Sequence, residues 1–444
     1  MSQRLVVALM FIALTAIAQS APADRMDEVV RYYVDRQQFM GSVLLARGDE
    51  VIFSKAYGSA NLEWNVPNTL DTKFRIGSMT KQFTAAAILL LEERGKLKVD
   101  DPIKDWYAAA PAAWSKITLR HLLGHTSGIP NYTNTPDFGR LSSWRATPDE
   151  LVERVRDKPL EFEPGAQMRY SNTGYVLLGM AIERASGVGY AQFLEQNIFA
   201  PLGMKDTGYD DNSAILPRRA AGYTPGPNGI TNAMYVDMTT PFAAGALYST
   251  APDLLRWERA LFGKKLLSAA SLAKMTTRGE GDYGMGLFVG MESNRPWFEH
   301  GGGIPGFNAK MAYYPQSDTV AIALSNLNGP GPDDIVQKLG ALAHGDAVVL
   351  LSERKSVPVP AKVLQRYVGA YQVEPERVMT VTFEYGQLFC QLTGDGKFPI
   401  AAESQTRFFP LPFDAHFEFR VEEGKVTGME LDHGSGKVFA PRVR

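Results

Sequence analysis

A serine hydroxyl is a poor nucleophile unless a neighbouring base takes its proton. A lysine can be that base where burial disfavours its charged form. The spacing Ser-x-x-Lys puts the two groups one helical turn apart on one face. It occurs at Ser78–Lys81, Ser271–Lys274 and Ser352–Lys355. Context separates them. Ser78 follows Phe74-Arg75-Ile76-Gly77 and opens a run to Leu91 that is apolar on nearly all sides, the pattern of a buried helix. The start of that helix adds a positive field and free N–H donors. Ser271 is an ordinary mid-helix residue, and Ser352 lies in a polar stretch containing prolines. On this motif alone, Ser78 serves equally well as a helix N-cap.

Other residues bear on the choice. Tyr170 and Asn172 form Tyr-x-Asn between the Pro164-Gly165 turn and a helix, and the same spacing occurs at Tyr132 and Asn134. His300-Gly301-Gly302 ends a strand and lacks side chains that would obstruct a substrate backbone. No Gly-x-Ser-x-Gly elbow occurs, so an α/β-hydrolase triad has no obvious serine. Gly301, Gly303 and Gly306 match a dinucleotide-binding glycine pattern. Pro305 and a strand stand where the phosphate-binding helix would begin, so no cofactor is expected. His121 and His125 are four apart, but Gly124 breaks the helix and no Glu lies between them. No metal site is expected, and His125 reads as a brace for its loop. Cys390, the one cysteine, alternates with polar residues between Leu388 and Leu392 and reads as a packed core thiol.

The elements that must position these groups follow from periodicity. A helix over 26–38 and two strands, Gly41–Arg47 and Glu50–Tyr57, precede Ser78. Short helices surround the Tyr-x-Asn segments, and a helix is expected over Ala251–Phe262. Strands are expected over 284–289, 297–300, 310–314 and 319–325, then a helix over 333–343. A linker over 352–361 carries Pro358 and Pro360. Beyond it, from 362 to 444, short alternating segments suggest a small all-β barrel.

A chain of 444 residues is long for one core. Its net charge of −2 gives no electrostatic reason to expect nucleic acid as partner. Arg4, the apolar run Leu5–Ala18 and the small residues at Ser20 and Ala21 make residues 1–20 an expected secretory signal. The run is short for a bilayer, so a periplasmic or secreted protein without a stable membrane anchor is expected.

Phe74-Arg75-Ile76-Gly77-Ser78-Met79-Thr80-Lys81, Leu122 to Pro130, Phe162-Glu163-Pro164-Gly165, Tyr170 to Tyr175 and Pro201-Leu202-Gly203-Met204 occur in that order. Together they resemble the serine β-lactamase and penicillin-binding protein superfamily, closest to its class C β-lactamase-related branch of D-peptidases and esterases. The resemblance implies an α+β fold over residues 21–351: an antiparallel sheet built from both ends of the domain, flanked by helices, beside a helical lobe. It implies that Ser78 is acylated and that Lys81 is its proton partner. It makes Tyr170 the general base, acting with Lys81, and has Asn172 hold Lys81 and a substrate amide. It places His300, Gly301 and Gly302 along the substrate, and the backbone N–H groups of Ser78 and Gly303 in an oxyanion hole worth about 3 kcal/mol per donor. His300 departs from the lysine that begins this motif in true β-lactamases, and imidazole is a weaker, pH-dependent cation. The implied substrate is a small molecule or peptide: a D-amino-acid peptide cleaved at an amide, as by a D-aminopeptidase or D-alanyl carboxypeptidase, or else an ester or β-lactam. A catalytically weak binding or scaffold protein is the reading from another class. The region from Tyr367-Val368-Gly369-Ala370-Tyr371 onward resembles the lipocalin-like barrels appended to some members.

Overall fold

The computed structural model describes residues 22–292, 294–432 and 437–443, so the expected signal over 1–20 lies outside the described residues. The chain divides into two compact units, 1–346 and 347–444. No helix among the described residues is long and apolar enough to cross a membrane.

The first unit is organised on a six-stranded antiparallel sheet. Its strands are β1 (Gly41–Arg47), β2 (Glu50–Tyr57), β3 (Phe288–Glu292), β4 (Arg295–Ile304), β5 (Phe307–Tyr314) and β6 (Thr319–Ser325), in the order β3-β4-β5-β6-β1-β2. The N-terminal hairpin therefore sits beside strands from the far end of the unit, with Val43 opposite Ala323. β6 is buried along its whole length, because helices cover both faces of the sheet. Tyr313 and Tyr314 point to opposite faces, as neighbours in a strand must. Tyr313 stacks on Phe262 of α4 (Ala251–Phe262), and Tyr314 packs on His344 just after α5 (Gly331–Ala343). The helix α1 (Pro22–Asp35) joins the sheet through Asp27, which accepts from Lys55 and Tyr57 of β2.

Beside the sheet lies a helical lobe around α2 (Thr80–Glu93) and α3 (Asn172–Ser186). Every α2 residue from Thr80 to Leu91 is buried, as its unbroken apolar character requires. The segment expected as a strand over 284–289 instead turns, and the strand starts at Phe288. Gly286 takes φ +82° there, and a Cβ on it would lie 2.6 Å from the Lys81 carbonyl oxygen. Packing against α2 overrides strand propensity at this place.

The second unit is an eight-stranded antiparallel sheet of sequential neighbours. It runs from β7 (Gly369–Glu374) through β8 (Arg377–Glu384), β9 (Gln387–Leu392), β10 (Phe398–Ala402), β11 (Arg407–Pro410), β12 (His416–Glu422) and β13 (Lys425–Asp432) to β14 (Lys437–Pro441). A bridge between Tyr371 and Arg442 brings the last strand back to the first, so the sheet nearly closes. Tyr367, Tyr371, Phe408, Phe419 and Met429 fill its core with Cys390, whose thiol burial pushes up. The stretch 352–361, read as a linker, is tied to this unit: Arg354 pairs with Asp414, and Val357 N–H donates to Ala402 O.

Glu258 on α4 is 3% exposed, and its Oε2 has no hydrogen-bond partner. Burial pushes its carboxyl from 4.5 up to about 8, against a smaller pull from Arg259. Between those values the unfolded chain has released the proton and the folded chain keeps it. This group therefore lowers stability by about 1.4 kcal/mol per pH unit as pH rises through that window, with no further loss above it. Glu258→Gln removes the slope. In urea unfolding across pH, its advantage over the parent is expected to grow from about pH 5 to 8 and then level off. A difference independent of pH would contradict this.

Candidate active site

The turn before α2 is held from below. Ile76 N–H donates to Leu247 O, and Leu247 N–H donates to Thr80 Oγ1 at 3.2 Å. Arg75 reaches the fully buried Asp210 at 2.6 Å, and Arg219 holds the other oxygen at 2.8 Å. Gly77–Met79 forms a tight helical turn, and neither it nor α2 has a side-chain cap bond. Ser78 is therefore not the N-cap. Its Oγ lies 3.0 Å from Lys81 Nζ. The two other Ser-x-x-Lys matches make no such pair. Lys274 is 41% exposed and binds Glu92, and Ser352 and Lys355 are both exposed.

Lys81 is fully buried. Its Nζ has two further neighbours, Asn172 Oδ1 and Ala244 O, each at 2.8 Å. The Tyr170 and Tyr175 rings lie 4.7 and 5.4 Å from it. Among its hydrogen-bond partners there is no carboxylate, and burial holds the amine well below the usual lysine range. A neutral amine has two N–H bonds and one lone pair. Asn172 and Ala244 can only accept from it, so the lone pair is left to face the Ser78 hydroxyl.

Asn172 is fixed by a loop whose role the sequence did not signal beyond its Tyr-x-Asn spacing. Asn131 Oδ1 accepts from Asn172 N–H at 3.1 Å, and Thr133 Oγ1 accepts from its Nδ2 at 3.3 Å. The second Nδ2 hydrogen remains for a ligand. Ala244 matters through its carbonyl, which no residue-type pattern could signal.

Tyr170 is half-buried, and burial raises its phenol while the Ser78 hydroxyl hydrogen-bonds it and pulls the other way. His125 braces it. His125 adopts φ +58°, its carbonyl accepts from Arg169 N–H, and its Nδ1 accepts from Ser171 N–H at 3.2 Å. The two rings are 4.2 Å apart. His121 turns elsewhere and caps its own helix through Thr118.

His300 is 2% exposed. Its Nδ1 donates to Gly301 O at 2.5 Å, so its Nε2 accepts the Tyr283 hydroxyl at 2.9 Å. Burial, with Lys81 and Lys310 nearby, pushes it down to about 3. The imidazole is neutral and faces the interior. A cavity of about 290 Å3 opens beside Ser78, Asn172 and Gly303, and His300, Gly301 and Gly302 do not line it. Of these, Gly302 meets the Ser78 turn through backbone. An added Cβ on Gly302 would lie 1.9 Å from Ile76 O, and one on Gly77 would lie 3.0 Å from Gly303 N. The Ser78 turn and the end of β4 thus meet backbone to backbone.

The family model described as Beta-lactamase matches residues 26–345, and one described as a domain of unknown function, DUF3471, matches 353–441. A penicillin-binding protein of Bacillus subtilis (strain 168) is 30% identical over 442 residues, covering 92% of this chain and 96% of that protein. Esterase EstB of Burkholderia gladioli is 31% identical over 248 residues, covering 52% of this chain and 62% of its own. The crystal structure of D-amino acid amidase from Ochrobactrum anthropi SV3, complexed with L-phenylalanine amide, superposes with a TM-score of 0.65 at 28% identity, covering 73% of this chain and 99% of that one.

Gly302→Ala forces the 76–78 turn and β4 apart, and is expected to destabilise the chain by about 1–3 kcal/mol. Gly301→Ala meets nothing closer than 3.5 Å and is expected to change stability far less. Thermal unfolding of the two variants checks this, and equal losses would contradict the close approach.

Proposed function

Because the chain belongs to the beta-lactamase family and is a serine hydrolase of that family, we propose that it cleaves amide bonds of D-amino-acid peptides or amides through an acyl-enzyme on Ser78. The observation that carries this reading is the buried Lys81 amine, bonded to Asn172 Oδ1 and Ala244 O and 3.0 Å from Ser78 Oγ.

Lys81 takes the Ser78 proton as Oγ bonds to the substrate carbonyl carbon. The Ser78 and Gly303 N–H groups face the oxygen where charge develops. Burial opposes a Tyr170 phenolate, so Tyr170 acts as a neutral relay rather than the resting base. It passes its proton to the leaving nitrogen and recovers one from Lys81 as the C–N bond breaks. A water then attacks the ester carbon and the C–Oγ bond breaks. The water's proton passes to Lys81 and from there to Ser78 Oγ as the acid leaves.

The D-amino-acid substrate is supported by the likeness to the Ochrobactrum amidase. Esters are the second reading. The cavity beside Ser78 has no charged lining group to hold a peptide terminus, and the likeness to the Burkholderia esterase agrees. Residues 21–351 form the hydrolase domain in this reading and 362–444 an appended barrel. Export is supported by the charge and apolar pattern of residues 1–20.

Intact mass spectrometry with a fluorophosphonate tests the nucleophile. One adduct is expected on the parent and none on Ser78→Ala, and Lys81→Met should slow labelling at least about 100-fold. An adduct that persists in Ser78→Ala sinks the assignment. Equal turnover of D- and L-phenylalanine amide rejects the D-specific part.

A further inference from the structure

We infer that the cavity beside Ser78 is an acyl-binding site that takes a neutral, apolar group and rejects a charged one; this rests on the Ser78 reading above. Among the described residues its lining holds no Lys, Arg, His, Asp or Glu. Three of its hydroxyls are engaged by main-chain carbonyls, and Thr133 Oγ1 accepts from Asn172 Nδ2. Tyr132 OH donates to Thr240 O at 2.6 Å, Thr240 Oγ1 to Trp144 O at 3.3 Å, and Ser142 Oγ to Gly139 O at 3.0 Å. What faces the remaining space is largely carbon, from Phe138, Met234, Val236, Ile304 and Pro305. One Asn172 N–H and the Ser78 hydroxyl, both beside the reacting carbonyl, are too few to replace the hydration that an ionised group would lose.

The size of the space narrows the class. At about 290 Å3 it is near twice the ~150 Å3 apolar cavity known to hold benzene. A benzyl group or a linear six-carbon chain fits that volume. The acyl side of the substrate is the better occupant. It must stay beside Ser78 through both steps, whereas the leaving group must depart and admit water. An apolar pocket holds the first and would hinder the second. His300 agrees with this assignment, since a neutral imidazole turned to Tyr283 supplies no anchor for a carboxylate. The cavity therefore selects substrates whose acyl side chain is uncharged, whether the bond cleaved is an amide or an ester, and an α-amino group on the acyl carbon lies outside it.

The test uses p-nitrophenyl esters of hexanoic, adipic and ε-aminocaproic acids, which share a six-carbon chain and differ in terminal charge, with the acetyl ester as reference. The hexanoyl ester is expected to exceed both charged esters in kcat/KM by at least about 100-fold. Met234 lines the cavity and is 55% exposed, so a lysine there keeps the fold and places a cation at the mouth. Met234→Lys should raise the adipoyl-to-hexanoyl ratio about fivefold or more. Charged and neutral esters within threefold of one another, or a ratio unmoved by Met234→Lys, would overturn the inference. Ser78→Ala separates the two readings. Acetyl turnover that vanishes in Ser78→Ala without any hexanoyl preference rejects the acyl site alone. Turnover that survives in Ser78→Ala rejects the Ser78 reading and this inference with it.

Discussion

The site depends on one buried amine. Lys81 sits in a helix whose other buried positions are mostly apolar, and no carboxylate is among its hydrogen-bond partners. A protonated lysine in that place would carry an uncompensated charge, so burial drives it toward the neutral form. The two acceptors, Asn172 Oδ1 and Ala244 O, then decide where the lone pair points. Much of the lobe serves that arrangement. The loop at Asn131–Thr133 orients Asn172, and the short helix Phe242–Gly245 carries the Ala244 carbonyl. The same burial raises the Tyr170 phenol, so one environment holds both groups toward their neutral forms.

A second constraint is steric. The nucleophile turn and the end of β4 approach so closely that Gly77 and Gly302 leave no room for a Cβ. A Cβ on Gly77 would lie 3.0 Å from Gly303 N and one on Gly302 3.1 Å from Ser78 N, so the two backbones meet at this place. His300 supports the strand from behind through Gly301 O and Tyr283. Neutral and buried, it is not the substrate-side cation that its place in the motif suggested.

The proposed site residues were expected from the resemblance that their ordered motifs carry, and Ser78, Lys81, Tyr170 and Asn172 lie together in the structure. Strands Gly41–Arg47, Glu50–Tyr57 and Thr319–Ser325 and the helix Ala251–Phe262 match their expected bounds, since each has a clear period and clear turns. Failures have physical causes. Apolar residues 284–287 looked like a strand but pack against α2 through Gly286. The carbonyl of Ala244 and the inward turn of His300 depend on tertiary contacts that no local pattern encodes. The emptiness of the cavity wall of charge depends on segments more than 160 residues apart, Phe138 and Ile304 among them.

Attack by Ser78 requires a neutral Lys81 in the proposed scheme, and the pH dependence of Ser78 acylation by a fluorophosphonate in single-turnover mode measures that protonation state. The rate should rise with an inflection well below the ordinary lysine value of 10.5, and Lys81→Met should abolish that inflection along with most of the rate. An inflection near 10.5, or a profile that Lys81→Met leaves unchanged, would contradict a neutral Lys81 as the base.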